Sequence, residues 1–245
     1  MERDGERFED LSGRTALITG GSRGLGAALG RALAKRGARV VLVARGQAAL
    51  DAVVEDIRAT GGEAHGLVED IGDKAAIHRI AGAAAALVGP IDLLVHNAST
   101  LGPTPLRLLL DTECEDLAQV FEVNLIGPFR LTKVIAGSMA LRGRGLVVHV
   151  TSDAATTAYP RWGAYGVSKA ALEHLGRSFA AELDGTGVRF LTFDPGEMNT
   201  RMHADAMPEA DPSTLADPAQ VAERLVALLA REVPIDSGAQ AAVQP

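Results

Sequence analysis

The stretch "RTALITGGSRGLG", Arg14 to Gly26, runs from an apolar, β-prone segment into a glycine-rich turn. An Ala/Leu-rich segment, Leu25–Arg36, follows at once with the composition of a helix. Strand, turn and helix in that order predict the opening of a βαβ unit. Glycines at 20, 24 and 26 allow a tight turn, close backbone approach to a pyrophosphate, and close helix–strand contact. The helix N-terminus would offer free N–H groups and its positive dipole end to phosphates. The spacing is G-x-x-x-G-x-G rather than the commoner G-x-G-x-x-G.

Outward from this turn, further β-rich runs occur at Ala38–Ala44, Ala64–Val68, Ile91–His96, Gly145–Thr151 and Val188–Phe193. Most are nearly continuously apolar, the pattern of parallel strands buried on both faces. Helical stretches lie between them, near Gln47–Thr60, Asp73–Val88, Thr112–Leu141 and Trp162–Leu183, with a last one at Pro218–Arg231. This alternation predicts an α/β fold: a Rossmann-like, doubly wound parallel β-sheet with helices on both faces. No composition break marks a second domain, so residues 11–245 read as one domain and 1–10 as a flexible, solvated tail. The polar, Pro-interrupted segment 198–217 follows a strand and is expected to form a loop over the carboxyl edge of the sheet, closing on substrate. Met198, Met202 and Met207 would make it an adaptable apolar lid.

Composition narrows the function. A formal charge of −7 and a pI near 5.4 argue against nucleic-acid and anionic-membrane partners. No apolar run approaches a membrane span, and "MERDGERFED" has neither secretory nor transit character. A single cysteine, Cys114, excludes an internal disulfide, and the six histidines show no metal-ligand spacing. A cytoplasmic protein without a metal is the expectation.

The chain has two tyrosines, Tyr159 and Tyr165, and the second stands four positions before Lys169. On a helix that spacing places phenol and ammonium one turn apart. A free tyrosine, with a pKa of about 10, is a poor acid–base catalyst near neutral pH. A neighbouring ammonium favours the phenolate and is expected to lower that pKa.

Thr19-Gly20-x-x-x-Gly24-x-Gly26 together with Tyr165-x-x-x-Lys169 resembles the short-chain dehydrogenase/reductase family, over a span from about Leu11 to Arg231. Asn97 and Ala98 match the family's N-N-A-G, with His96 and Ser99 departing from it; Asn124 matches its helical asparagine. Ser152 lies thirteen positions before Tyr165, the family's interval, and Pro195, Gly196 and Thr200 match P-G-x-x-x-T. The resemblance implies interconversion of a carbonyl and an alcohol by hydride transfer, with Tyr165 as general acid in reduction and base in oxidation. It implies that Lys169 tunes Tyr165 and bonds the nicotinamide ribose, and that Asn124 holds a water linked to Lys169. Ser152, at a strand's carboxyl end, would hydrogen-bond the substrate oxygen as charge develops. The cofactor would be bordered by Gly20, Ser22, Arg23, Gly24, Leu25 and Gly26, and by Asn97, Ala98, Pro195, Gly196, Met198 and Thr200. Asp70 and Ile71 would bracket adenine. Asp153, Tyr159, Arg161, Trp162, Glu197 and Met202 are candidate substrate contacts.

The second strand ends at Ala44 and Arg45 with no acid to bond a ribose 2′-hydroxyl, and Arg23 sits inside the glycine turn. Two guanidinium groups suit a 2′-phosphate, so NADP(H) is expected over NAD(H). The alternative is a catalytically silent, dinucleotide-binding regulatory protein. A sugar-nucleotide epimerase is disfavoured by chain length and glycine spacing. Thr112–Leu141 and Trp162–Leu183 carry apolar residues on more than one face, which predicts a homodimer or homotetramer.

Overall fold

A computed structural model describes residues 11–230 and 238–242; the predicted tail 1–10 and the end of the last predicted helix, Arg231, lie outside the described residues. The elements follow the order β1 Thr15–Thr19, α1 Gly24–Lys35, β2 Arg39–Ala44, α2 Gln47–Ala59, β3 Glu63–Val68 and α3 Ala76–Val88. Then come β4 Leu93–His96, α4 Cys114–Phe121, α5 Gly127–Arg142, β5 Gly145–Val150 and α6 Gly163–Glu182. The last are β6 Val188–Asp194, α7 Arg201–Ala206, α8 Pro218–Leu229 and β7 Ala239–Ala242.

All strand pairs are parallel, in the order β3-β2-β1-β4-β5-β6-β7. Alternate residues of one strand enter two different cores. Ile18, Leu42, Val95 and Val148 pack with the apolar faces of α1, α2 and α8; Leu17, Val41, Leu94 and Val147 pack with those of α3, α5 and α6. Burial on both faces explains the continuous apolar runs in the sequence. After β1 the chain winds through β2 to β3 and then returns to lay β4 on the other side of β1. The carboxyl ends of β1 and β4 therefore flank a crevice, the ligand position of an open doubly wound sheet.

Three expectations change. A seventh strand, β7, pairs with β6; its sequence "AQAA" has no β-branched or aromatic residue to mark it. The predicted helix Thr112–Leu141 is interrupted by a π-helical turn, Glu122–Ile126, between α4 and α5. Pro128 has no N–H for the Asn124 carbonyl four residues back, and the Gly127 N–H reaches the Glu122 carbonyl, five back. Segment 198–217 contains α7, and Met198 bridges Ala216 so that its two ends meet.

Candidate active site

β1 ends at Thr19 and turns at Gly20, whose φ of 71° is a left-handed conformation that favours glycine. Asn97, immediately after β4, braces this turn by donating its side-chain amide to Thr19 O at 3.0 Å and Gly20 O at 3.2 Å. A Cβ on Gly20 would lie 2.8 Å from that amide nitrogen, and one on Gly26 would strike the Gly20 carbonyl. Thr19 Oγ1 accepts the N–H groups of Asn97 and Ala98, each at 3.1 Å. Asn97 and Ala98, expected to border a cofactor, thus also hold the glycine turn. At the turn's mouth Gly24 begins α1 with φ 53°, across from Thr200. Ser22 and Arg23 lie on its exposed side, while the Leu25 side chain is buried in the core and only its backbone borders the turn.

Among the described residues no side chain caps the N-terminus of α1, and no acid stands in its first turn. Its N–H groups and dipole are therefore open to an anion such as a phosphate. Arg45 follows β2 directly and is 70% exposed, with Nη1 3.9 Å from Asp70 Oδ2. Asp70 Oδ1 accepts the Gly72 N–H at 2.8 Å, and Ile71 is buried in the core against α3. Two residues assigned to separate parts of adenosine face each other at the edge of the cleft.

Farther along the carboxyl edge a cavity of about 350 Å³ opens over β4, β5 and β6. Ser152, Tyr165 and Lys169 line it together, as do Asp153, Tyr159, Trp162, Glu197 and Met202, and Pro195, Gly196, Met198 and Thr200, whereas Arg161 lines a separate, smaller pocket. Lys169 is 1% exposed; its ammonium donates to Val150 O at 2.8 Å and stands 5.5 Å from the centre of the Tyr165 ring. Burial draws its pKa down to about 8, with Asp194 opposing.

Burial also dominates at Tyr165 and pushes the phenol above its usual range; Ser152 and Ser99 hydroxyls oppose it, and the charges of Asp194 and Asp153 add to it. This reverses the expected direction. Lys169 lies against the ring face and a main-chain carbonyl, so its charge does not offset the desolvation of a phenolate.

Ser152 donates to Asp153 Oδ1 at 2.9 Å and accepts the Ala154 N–H at 3.2 Å. Asp153 Oδ2 accepts the Tyr159 hydroxyl at 2.8 Å, and Trp162 packs edge-on to Tyr165 with ring centres 5.7 Å apart. Asn124 is 1% exposed and its amide is fully used. Oδ1 accepts from Thr100 N (2.8 Å) and Ser99 Oγ (3.2 Å), while Nδ2 donates to Thr100 O and Ser168 Oγ (2.9 Å each). These bonds occupy the side-chain polar atoms that the resemblance assigned to a water. Asp194 and His203 also line the cavity and were not singled out from the sequence. For Asp194 a signal existed, since it ends β6 directly before Pro195-Gly196. Among the described residues no cluster of three or more His, Cys, Asp or Glu is able to hold a metal.

The short chain dehydrogenase family model matches residues 14–211. A short chain dehydrogenase of Pseudocercospora fijiensis is 42% identical over 205 residues, which cover 81% of this chain and 64% of that protein. The chain thus spans just under two thirds of the length of that relative. A metagenomic short-chain oxidoreductase solved with NADP superposes with a TM-score of 0.82 at 32% identity, covering 96% of this chain and 99% of the other. A 7α-hydroxysteroid dehydrogenase solved with NADH and 7-oxo glycochenodeoxycholic acid gives 0.85 at 28% identity, over 95% and 93%.

Proposed function

The chain belongs to the short chain dehydrogenase family, and from that premise we propose that it is an NADP(H)-dependent oxidoreductase interconverting a carbonyl and an alcohol. The observation that carries this reading is the convergence of Ser152, Tyr165 and Lys169 on one cavity beside the glycine turn. When bound, the nicotinamide supplies or takes the hydride at the carbon. Tyr165 gives the proton to the carbonyl oxygen in reduction. Burial keeps the phenol protonated, and the Ser152 and Ser99 hydroxyls, which favour the phenolate, ease the loss of that proton. Ser152 orients the oxygen. Among the described residues Lys169 has one hydrogen bond, to Val150 O, and an ammonium with three donors would have two for a ribose. Gly20, Ser22, Arg23, Gly24, Leu25 and Gly26 border the pyrophosphate, and Asp70 and Ile71 the adenine.

The choice of NADP(H) rests on Arg23, Arg45 and the missing acid after Ala44. The NADP-bound neighbour agrees with it, and the NADH-bound one shows that the fold alone does not set it. Exposed Phe129 on α5 and Val167 on α6 support a homodimer or homotetramer built on those helices. The test is carbonyl-dependent loss of NADPH absorbance across a panel of aldehydes and ketones. Turnover supports the reading. Tight NADPH binding with no turnover of any member would favour the silent regulatory protein instead.

A further inference from the structure

The charge of the cavity departs from what carbonyl reduction needs. Negative charge develops on the substrate oxygen, and a site built for that alone collects donors and cations around it. Here Asp153, Asp194 and Glu197 line the cavity. Lys169 is the one lysine or arginine among the lining residues, and it is buried and turned to Val150 O. His203 stands with its Nε2 3.7 Å from Glu197 Oε1. Asp153 is bonded directly to Ser152, so a carboxylate adjoins the group that must greet the oxyanion. For a neutral substrate this arrangement opposes the reaction, and for an anionic substrate it repels binding as well.

A second feature, independent of the acids, points to the same ligand. The cavity wall carries the rings of Tyr159 and Trp162 and the thioethers of Met198, Met202 and Met207. Aromatic faces attract alkylated ammonium groups through the ring quadrupole, and methionines adapt to their apolar shell. Tyr159 is tied by its hydroxyl to Asp153, so one carboxylate and one ring form a single fixed surface. At the inner end, burial pushes the Asp194 carboxyl up and Asp153 adds to that, a situation a bound cation would relieve.

We propose that the substrate of this cavity is a carbonyl compound, or its alcohol, that carries an ammonium group held among Asp153, Glu197, Tyr159 and Trp162. This rests on the oxidoreductase reading for the chemistry, but not for the binding. The ammonium anchors the molecule and compensates the carboxylates as the oxygen gains charge. Neutral analogues bind without that compensation, and carboxylate analogues are excluded.

The test uses one frame with three charges: benzaldehydes bearing para trimethylammoniomethyl, its uncharged isostere neopentyl, or carboxymethyl. At saturating NADPH and low salt, kcat/KM is expected to be at least about ten-fold higher for the ammonium compound than for its isostere. The carboxylate should be the poorest, and salt should shrink the difference. In Asp153→Asn and Glu197→Gln the ammonium-to-neopentyl ratio should fall several-fold, whatever each variant does to turnover overall. Binding is read separately by quenching of Trp162, the chain's one tryptophan, with the matching benzyl alcohols. Preferential ammonium binding without turnover would keep this inference and sink the oxidoreductase reading. Turnover or binding of the neopentyl compound equal to that of its ammonium isostere would overturn the inference and leave the oxidoreductase reading intact. Failure of all three alcohols to bind would also overturn it.

Discussion

At Tyr165, burial raises the phenol pKa while the hydroxyls of Ser152 and Ser99 draw it down. Burial wins, so the phenol is protonated at rest, and the two hydroxyls ease the departure of its proton by favouring the phenolate. Tyr165→Phe should therefore lower turnover by about a hundred-fold or more, as loss of a positioned acid does, with the NADPH dissociation constant nearly unchanged. Steady-state kinetics at saturating cofactor checks this. At the other end of the cleft, Arg45 is exposed and faces Asp70, which competes with a phosphate for it. NADPH should still bind at least about ten-fold more tightly than NADH, less so at high salt. Arg45→Asp should reverse the order by removing a cation and adding a ribose acceptor. Dissociation constants for both cofactors, in wild type and variant, decide it. The sequence pointed to Tyr165 and Lys169 because their spacing is one helical turn, and to Ser152 through the family's interval, and all three line one cavity. It did not disclose that Asn97 braces the glycine turn or that Asp194 enters the cavity. Those facts depend on which strand ends meet across the sheet, and no local spacing encodes that.

Among the elements, β4 and β5 place His96 and His149 as register partners, with ring centres 5.2 Å apart beneath α5 and α6. Both are fully buried, and neither nitrogen of His149 has a partner among the described residues. Burial lowers the His149 pKa from 6.5 to about 3, with the charge of Lys169 adding to it; His96 is lowered as well. The unfolded chain binds protons below about pH 6.5 that the folded one refuses. Stability is thus fully present above that pH and is lost as pH falls from 6.5 toward 3, by up to about 1.4 kcal/mol per pH unit per histidine. His149→Leu should flatten this slope, measured as denaturant stability at steps between pH 6.5 and 4.5. Equal slopes in wild type and variant would show that His149 does not carry the acid sensitivity. Parallel strands were legible because continuous apolar runs require burial on both faces. The π-turn before α5 and the strand β7 were not. The first arises from Pro128 deep in a helical composition, and the second is held by pairing with β6 rather than by its own residues.

At the scale of the molecule, α5 has apolar residues on several faces, and the exposed rings and branched chains of Phe129 and Val167 remain uncovered by the sheet. Light scattering at micromolar concentration should give the mass of a dimer or tetramer; a monomeric mass of 25.5 kDa would contradict the proposed assembly. The single sheet, covered by helices on both faces, brings the glycine turn, the uncapped start of α1 and the Tyr165 cavity to one carboxyl edge, where the proposed cofactor would span them. The chemistry proposed for that edge is hydride transfer to a carbonyl carbon. It is tested most directly with NADPH deuterated at the transferable position of nicotinamide C4, an aldehyde that the protein turns over, and mass spectrometry of the products. The account predicts one deuterium on the carbinol carbon of the alcohol for each NADPH consumed. Deuterium retained on the nucleotide, or lost to water, would contradict it.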